Sequence, residues 1–414
     1  MSGVTTRKTG LFAWFAELSA VEKKTFWAAF GGFALDGMDI LLYSFVIPTL
    51  IALWSMNRSD AGLIATVALL VSAVGGWAGG ILADRIGRVR TLQVTILWFS
   101  VFTGLSGLTN SFGELLAVRA LQGLGFGAEW AVGAALMGEI VRAEHRGKAV
   151  GCVQSSWAVG WAAAALLYAG TYALLPETVA WRVLFFVGVL PGLFVIYIRR
   201  HVQDSVVFSR ADHRTPFSAI FSPGVLSVTL LGALLSAGVQ GGYYAVMTWL
   251  PAYLRTTREL SVIGSSGYLA VVIVAAWFGY VTGAYVSDAL GRRRTFLLFS
   301  LCSILTVIAY TVLPISNSLM LVMGAPLGFF ASGTYSGLGA TLAELFPTSI
   351  RGSGMGFTYN FGRAIGASFP ALVGFLSERV SLGLAIGLFT TIAYSLVWLA
   401  ISGLPETRAT ELRS

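Results

Sequence analysis

The stretch GGILADRIGRVR, residues 79–90, occurs a second time in this chain in altered form. The second copy, TGAYVSDALGRRR at residues 282–294, keeps a carboxylate, a glycine three positions later and the basic residues that follow. The two carboxylates, Asp84 and Asp288, are 204 positions apart. Such a spacing suggests that one large unit has been duplicated along the chain.

A second motif repeats at nearly the same offset. GEIVRAEHRG at residues 138–147 and AELFPTSIRG at residues 343–352 both contain Glu, six intervening residues and Arg-Gly. Their glutamates, Glu139 and Glu344, are 205 positions apart. Two independent motifs at one offset predict two related halves, an arrangement typical of transporters with a site between the halves.

Composition indicates the class of protein. The chain has 414 residues, of which 56% are hydrophobic and 11% charged. Soluble domains carry about 25% charged residues, so we interpret the chain as an integral membrane protein and not as a soluble enzyme. Its net charge of +8 does not indicate nucleic-acid binding, because the basic residues lie in short loops between apolar segments. The sequence has no cysteine–histidine cluster and no phosphate-binding glycine loop, so neither a metal nor a cofactor is predicted.

A membrane-spanning helix needs about 20 mostly apolar residues. Twelve spans are predicted on that basis, at 25–53, 61–83, 92–109, 113–140, 148–175, 182–200, 224–254, 261–287, 295–313, 318–345, 353–376 and 382–403. Twenty Lys and Arg residues fall on the side of the termini and five on the opposite side. This bias predicts that both termini are cytoplasmic. We expect a multi-pass monomer in a plasma membrane, the inner membrane of a bacterium.

The predicted fold class is an all-α membrane protein with twelve transmembrane helices in two pseudo-symmetric six-helix bundles. The longest loop separates spans 6 and 7 and divides the halves. The predicted parts are a cytoplasmic N-terminal segment with an interfacial helix (1–24), an N-terminal bundle (25–200), a cytoplasmic central loop (201–223), a C-terminal bundle (224–403) and a cytoplasmic tail (404–414).

Three motifs carry a resemblance to a known family. Gly80-x-x-x-Asp84-Arg85-x-Gly87-Arg88-x-Arg90 resembles the signature loop of the major facilitator superfamily. RALQGLGFGAEW at 119–130 resembles the helix 4 motif of that family, and PETRATEL at 405–412 resembles the tail motif of its sugar and organic-acid branches. One departure is Ala284, which stands where the second loop would repeat Gly80. The resemblance implies the major facilitator fold and secondary transport.

Shorter motifs resemble particular branches of the superfamily. DGMD at 36–39 resembles the aromatic-acid:proton symporters. GAEW at 127–130, with the segment that follows it, is similar to the sialate and carboxylate:proton symporters. YNFGRAIG at 359–366 resembles acid symporters and organic-anion transporters that carry an arginine there. These resemblances imply an organic anion as substrate.

Repeated charged residues lie at the cytoplasmic ends of the predicted spans. Because both halves carry them, we interpret them as parts of the scaffold and of a cytoplasmic gate, and not as substrate contacts. The predicted gate residues are Asp84, Arg85, Gly87, Arg88, Glu139, Arg146, Asp288, Arg292, Glu344 and Arg351.

Four charged residues within spans have no charged counterpart in the other half: Asp36, Asp39, Arg119 and Arg363. Asp36 and Asp39 are three positions apart, so they share one face of span 1. A rise of about 1.5 Å per residue places Arg119 near the level of Asp39, and Glu129 near the level of Asp36. We therefore predict an Asp39–Arg119 ion pair and an Asp36/Glu129 carboxylate pair.

Carboxylates are the predicted proton carriers. All three histidines, His145, His201 and His213, fall in predicted loops. A carboxylate that is buried or lies beside another favours its protonated form, so it can change protonation in the working range of pH. Asp36, Asp39 and Glu129 are therefore the candidates, with Arg119 biasing which of them holds the proton. The alternative is a static Asp39–Arg119 pair that only fixes helix packing.

Arg363 is the predicted anion-binding residue. It lies about 15 Å into span 11 at about 1.5 Å per residue, and its guanidinium presents a fork that matches a carboxylate. The alternative is a salt bridge to an acid across the cavity. Seven further residues are predicted to complete the substrate site: Gln154, Ser155, Gln240, Tyr243, Tyr244, Tyr359 and Asn360.

The predicted function is proton-coupled uptake of a small organic anion, such as a mono- or aromatic carboxylate, by alternating access. Three alternatives are a sugar or polyol:proton symporter, a drug:proton efflux carrier and a nutrient receptor built on a transporter scaffold. Arg363 argues against a cationic drug, and such a receptor is expected to carry long cytoplasmic tails. We expect no enzymatic activity, the proton as coupling ion, and the lipid bilayer and the substrate as partners.

Overall fold

The computed structural model describes residues 13–141, 143–202, 217–347 and 350–407. These ranges are helical and contain no β-strand. The side chains of Asp84, Glu139, Arg146 and Asp288, all predicted gate residues, lie outside the described part.

Eight helices make up the first half. They are α1 (Ala13–Glu17), α2 (Ala20–Trp54), α3 (Arg58–Ile86), α4 (Arg88–Ser106), α5 (Phe112–Ile140), α6 (Ala143–Leu174), α7 (Glu177–Val187) and α8 (Pro191–His201). Helices α2 to α6 correspond to predicted spans 1 to 5, and α7 and α8 together correspond to span 6.

The second half contains a 3-10 turn (Phe217–Phe221), nine helices and a π-helical turn (Tyr253–Thr257). The helices are α9 (Leu226–Met247), α10 (Leu250–Ala252), α11 (Val262–Leu290), α12 (Arg292–Thr311), α13 (Asn317–Ser336), α14 (Leu338–Leu345), α15 (Arg351–Gly366), α16 (Phe369–Leu376) and α17 (Leu382–Gly403).

Several predicted spans are interrupted, which the hydropathy of the sequence does not reveal. Spans 6, 7 and 11 are broken ahead of Pro191, Pro251 and Pro370, each in the first turn of the next helix. Proline has no N–H to donate to the preceding turn and its fixed φ suits the start of a helix. Span 10 is broken at Gly337, between α13 and α14. Each of these spans is therefore one predicted segment built from two or more helical pieces.

Nine helical stretches of the described residues are long and apolar enough to cross a membrane. Helices α4 and α5 and the α15–α16 pair occupy the other three predicted spans.

The N-terminal helix α1 packs against the helices of the first half. Trp14 of α1, and Leu18 just after its end, are buried against Phe26, Met137 and Val141.

The duplication is visible in the packing of individual residues. Helix α3 packs on α5 as α11 packs on α13, and α2 packs on α6 as α9 packs on α15. A Cβ atom on Gly123 would collide with the carbonyl oxygen of Ala68, and one on Gly328 would collide with that of Val272. Small residues allow this close approach of helix backbones in a membrane. The offset between the two contacts is that of the sequence repeat.

The repeated loop motif adopts the same backbone conformation in both halves. Gly87 has φ 98° and ψ 157°, and Gly291 has φ 94° and ψ 159°. Positive φ of this kind favours glycine, which explains the glycine three residues after each motif aspartate. The hydroxyls of Thr91 and Thr295 each donate to the carbonyl oxygen of the glycine at 2.8 Å.

The two halves contact each other along two seams. Helix α6 packs on α11, and α3 packs on α15 and α16. Four polar contacts between the halves lie towards the helix ends opposite the chain termini, and on the predicted topology we call them the external contacts. They are Arg58 Nη1 to Ser377 O (3.2 Å), Ser59 N to Glu378 Oε1 (3.1 Å), Ala371 N to Thr66 Oγ1 (3.0 Å) and Arg255 Nη2 to Glu177 Oε1 (2.8 Å).

The close helix contacts yield a test of the duplicated scaffold. We expect Gly123→Ala and Gly328→Ala each to cost about 1–3 kcal/mol through overpacking and to lower the melting temperature of the detergent-purified protein. Gly170→Ala is the matched control, because a Cβ there meets nothing within 4 Å. Equal melting temperatures for all three variants would contradict the packing argument.

Candidate functional site

Five charged side chains are buried at the centre of the described helices. Asp36, Asp39, Arg119, Glu129 and Arg363 have between 0 and 2% of their surface exposed. A charge inside a membrane protein is costly unless it is paired or solvated, so such residues mark functional sites. The first half supplies four of them, from α2 and α5, and the second half supplies Arg363 from α15.

Asp39 has one side-chain hydrogen-bond donor at each of its carboxylate oxygens. Its carboxylate accepts hydrogen bonds from the side chains of Thr103 on α4 and Gln122 on α5, and lies 3.9 Å from Arg119 Nη1. This is the ion pair that the depth estimate predicts. Donors on each oxygen and a nearby cation stabilise the charged form of a carboxylate. Asp39 is therefore suited to remain ionised and to balance Arg119.

Thr103 and Gln122 are absent from the predicted site. A sequence signal exists for Gln122, which lies one turn after Arg119 and so shares its helix face. No such signal exists for Thr103, because only the packing of α4 brings it to Asp39.

Asp36 has a different environment. Neither of its oxygens receives a hydrogen bond from an N–H or hydroxyl donor of the described residues. Its carboxyl group instead contacts that of Glu129 on α5, as the depth estimate predicts. Gly32, one turn before Asp36, leaves the space for Glu129, since a Cβ there would collide with the glutamate Oε1 atom. Two adjacent carboxyl groups without other donors favour sharing one proton.

Arg363 lies among neutral and aromatic groups. Its Nε atom is 3.4 Å from Gln240 Oε1, and its Nη2 atom is 3.3 Å from the hydroxyl of Tyr359. The rings of Phe126 and Tyr359 lie 5.2 and 4.9 Å from the guanidinium carbon. Its Nη1 atom donates to no described residue, and no described carboxylate lies within 4.0 Å. The guanidinium therefore keeps a donor for an anion.

Aromatic residues from both halves surround this arginine. Tyr244 donates to Gln240 Oε1 at 3.3 Å, which ties it to the Arg363 cluster. Trp157 on α6 donates through Nε1 to the hydroxyl of Tyr243 on α9 at 2.8 Å, a hydrogen bond that crosses between the halves. Trp157 also contacts Phe126 at a centroid distance of 6.3 Å. Trp157 and Phe126 were not predicted, since single aromatic residues are common in spans.

The remaining predicted substrate residues lie in less direct positions. Ser155 donates to Cys152 O of its own helix at 2.7 Å. Asn360 donates to Gly356 O at 3.0 Å and turns its Oδ1 atom towards Gly76 on α3, at the seam between the halves. Gln154 is half-buried. None of these three contacts Arg363 among the hydrogen bonds of the described residues.

The described gate residues form contacts within the second half. Arg292 holds Glu344 with two hydrogen bonds of 3.1 and 2.8 Å, which join the start of α12 to the end of α14. Arg351 donates to Ala343 O at 2.9 Å. In the first half, Arg85 is exposed and Arg88 half-buried beside Gly87. These contacts of Arg292 and Arg351 lie within the second half, and the gating role of the set stays a prediction.

The tail completes the Arg292 cluster. Glu406 accepts hydrogen bonds from the backbone N–H groups of Arg292 and Arg293 at 2.8 and 3.2 Å. Thr407 donates to Glu344 Oε2 at 2.6 Å. A carboxylate at a helix N-terminus satisfies unpaired N–H groups and interacts favourably with the helix dipole. Glu406 therefore caps α12.

Comparison with known proteins places these features in a family. The family model of the Major Facilitator Superfamily matches residues 29–370. The chain is 43% identical, over 96% of its length and 94% of the relative, to a probable 4-methylmuconolactone transporter of Cupriavidus pinatubonensis. It is 32% identical, over 87% of its length and 89% of the relative, to a cis,cis-muconate transport protein of Acinetobacter baylyi.

A solved structure shares the fold. The inward-open xylose transporter XylE of E. coli superposes with a TM-score of 0.75, covering 94% of this chain and 98% of that one at 18% identity. The family and these relatives are transporters and not enzymes. The chain is therefore a multi-pass membrane transporter that belongs to the Major Facilitator Superfamily.

Proposed function

We propose that the chain is a proton-coupled symporter that takes up a small organic carboxylate across a bacterial inner membrane. The observation that carries this proposal is the Arg363 guanidinium, buried between the halves with a free donor and only neutral hydrogen-bond partners among the described residues. The relatives named for 4-methylmuconolactone and cis,cis-muconate, both organic acids, support the substrate class.

The surroundings of Arg363 favour a flat, unsaturated or aromatic acid. A carboxylate can take two parallel hydrogen bonds from a guanidinium. The rest of the substrate would then contact the aromatic side chains that surround the arginine, Phe126, Trp157, Tyr244 and Tyr359. Aromatic rings stack on flat apolar groups, while Gln240 and the tyrosine hydroxyls fix the orientation of polar ones.

Charge balance suggests how a proton would be coupled to the substrate. The centre contains two guanidinium groups and three carboxyl groups, so it is neutral when one proton is shared by Asp36 and Glu129. An added monocarboxylate brings one negative charge, and a second proton on the Asp36–Glu129 pair restores neutrality. A loaded centre that is neutral can cross between outward and inward arrangements at lower electrostatic cost.

Roles for the two aspartates follow from their environments. Asp39 has its oxygens occupied by Thr103 and Gln122 and balances Arg119. Asp36 has no such donors and contacts Glu129. We therefore assign the coupling proton to the Asp36–Glu129 pair and a fixed charge-balancing role to Asp39.

The sugar or polyol alternative depends on the PETRATEL tail. Glu406 of this tail caps α12, so the motif has a structural role that does not require a sugar substrate. A sugar would also offer the free Nη1 donor of Arg363 only neutral acceptors, which make weaker hydrogen bonds than a carboxylate.

Removing the anion-binding group tests the substrate class. A thermal-shift screen of the purified protein against carboxylates, sugars and amines should give stabilisation by carboxylates. Arg363→Gln should weaken binding of the best carboxylate by about tenfold or more, because a hydrogen bond to a charged group is worth about 1.5–3 kcal/mol. Arg379→Gln, a change to an exposed arginine of the second half, is the control and should bind normally. Stabilisation by sugars alone would refute the proposal.

Removing the shared proton site tests coupling. Asp36→Asn and Glu129→Gln should each abolish accumulation driven by a pH gradient, yet allow exchange of labelled substrate across proteoliposomes. Wild-type protein should move one proton per monocarboxylate anion, measured as the ratio of proton influx to labelled-substrate influx. Asp39→Asn should impair exchange and accumulation together, because it leaves Arg119 unbalanced. Accumulation that survives in the Asp36→Asn/Glu129→Gln double variant would place the coupling site elsewhere.

The external contacts are expected to hold the outer side closed. Glu177→Gln removes the charge that pairs with Arg255, and a partly exposed pair of this kind is worth about 1 kcal/mol or less. We therefore expect a several-fold increase in external thiol labelling of a cysteine placed at Ser44, in a background without Cys152 and Cys302. Glu114→Gln is the control, since Glu114 contacts Asn110 of its own half. Labelling that is unchanged by Glu177→Gln would remove this pair from the gate.

A further inference from the structure

A small cavity lies between the halves on the external side of Arg363. Its volume is about 20 Å³, which is room for about one water molecule. We call it the outer chamber. The first half contributes Tyr43, Ser44 and Arg119 to its wall, and the second half contributes Tyr243, Tyr244 and Thr248. The chamber is therefore formed only where the two halves meet.

Arg119 is the charged group of this chamber, and it is incompletely bonded. Its side chain is 1% exposed, and its Nε and Nη1 atoms donate no hydrogen bond to any described residue. The 3.9 Å separation from Asp39 balances its charge but is too long for a hydrogen bond. The rings of Tyr43 and Phe185 lie 5.4 and 5.8 Å from its guanidinium carbon. Asp39 thus balances the charge of Arg119 but leaves the Nε and Nη1 donors of Arg119 available for a ligand.

Asp39 accepts no hydrogen bond from those Nε and Nη1 donors. Its oxygens already accept from Thr103 and Gln122. An unpaired buried N–H group costs free energy, so the free face of the guanidinium is suited to a ligand with acceptor oxygens. The hydroxyls of Ser44 and Thr248 line the same chamber and offer further polar contacts.

The chamber is adjacent to the central site. Trp157 lines the chamber, and its ring contacts Phe126, which in turn lies against Arg363. Tyr244 also lines the chamber and donates to Gln240, which contacts Arg363. Trp157 and Tyr243, which are hydrogen-bonded to each other across the halves, both form part of the wall of the chamber.

We propose that the outer chamber is a second carboxylate-binding position, in which Arg119 receives an organic carboxylate from the external side before it passes Trp157 and Tyr243 to reach Arg363. This inference depends on the proposed transport of carboxylates. In the closed arrangement the chamber admits only a water-sized molecule, so a carboxylate occupies it when the external ends of the halves separate. The position therefore serves substrate arriving from outside and not substrate arriving from the cytoplasm.

This sidedness gives the test, with benzoate as the probe. The purified full-length protein is reconstituted in one known orientation, and the KM for labelled benzoate is measured separately from each face. The double variant Asp39→Asn/Arg119→Gln removes both charges, so no unbalanced carboxylate is left in the core. We expect its KM to rise about tenfold or more on the external face, through loss of charge-assisted hydrogen bonds, and to stay within twofold on the cytoplasmic face.

Two further variants separate this role from a structural one. Asp39→Asn/Arg119→Lys keeps a cation but loses the fork of donors, and should give an intermediate external KM. Arg379→Gln removes an exposed external arginine outside the chamber and should change neither KM, which controls for general attraction of anions. Equal changes in KM on the two faces would refute the second position and leave transport at Arg363 intact. Failure of the wild-type protein to transport benzoate from either face would count against the second position and the proposed substrate class together.

Discussion

The need to balance buried charge at the centre of the protein determines much of its organisation. Five charged side chains are almost fully buried among the described helices. An isolated ion in such a place is unstable, so each must have a partner, a proton or a ligand. Asp39 and Arg119 partner each other, and Asp36 and Glu129 contact each other. Arg363 donates hydrogen bonds only to neutral groups among the described residues, and this free donor capacity is the basis of the proposed anion site.

The scaffold that brings these charges together is built from a repeat, while the charges are not. Gly123 and Gly328 allow the same close helix contact in the two halves, and Gly87 and Gly291 shape the same loop. The carboxylates and Arg119 belong to the first half, and Arg363 belongs to the second. This division means that the central site exists only between the halves, where relative motion of the bundles can change it.

Much of the site follows from helix geometry. A rise of about 1.5 Å per residue and the direction of each span suffice to bring Asp39 to Arg119 and Asp36 to Glu129. The same approach misses Thr103, because α4 meets Asp39 through a packing contact that no local pattern encodes. It also assigns Ser155 and Asn360 to the substrate site, although their side chains donate to carbonyl oxygens of their own helices. The depth of a residue in the membrane can be estimated by counting residues along its helix. The neighbours that its side chain contacts depend on how the helices pack.

The membrane class, the twelve segments, the duplication and the identity of the buried charges can be inferred from the sequence, because apolar length, repeated motifs and charge within an apolar segment are local properties. The tertiary structure was needed to show that Asp39 has a side-chain donor at each oxygen while Asp36 has none, although both lie on one turn of one helix. It also decided where the contacts between the halves fall and where Pro191, Pro251 and Pro370 begin new helices. Each of these features depends on contacts between segments that are distant along the chain. The free energies of hydrogen bonding and packing at such contacts depend on three-dimensional proximity and not on position in the sequence.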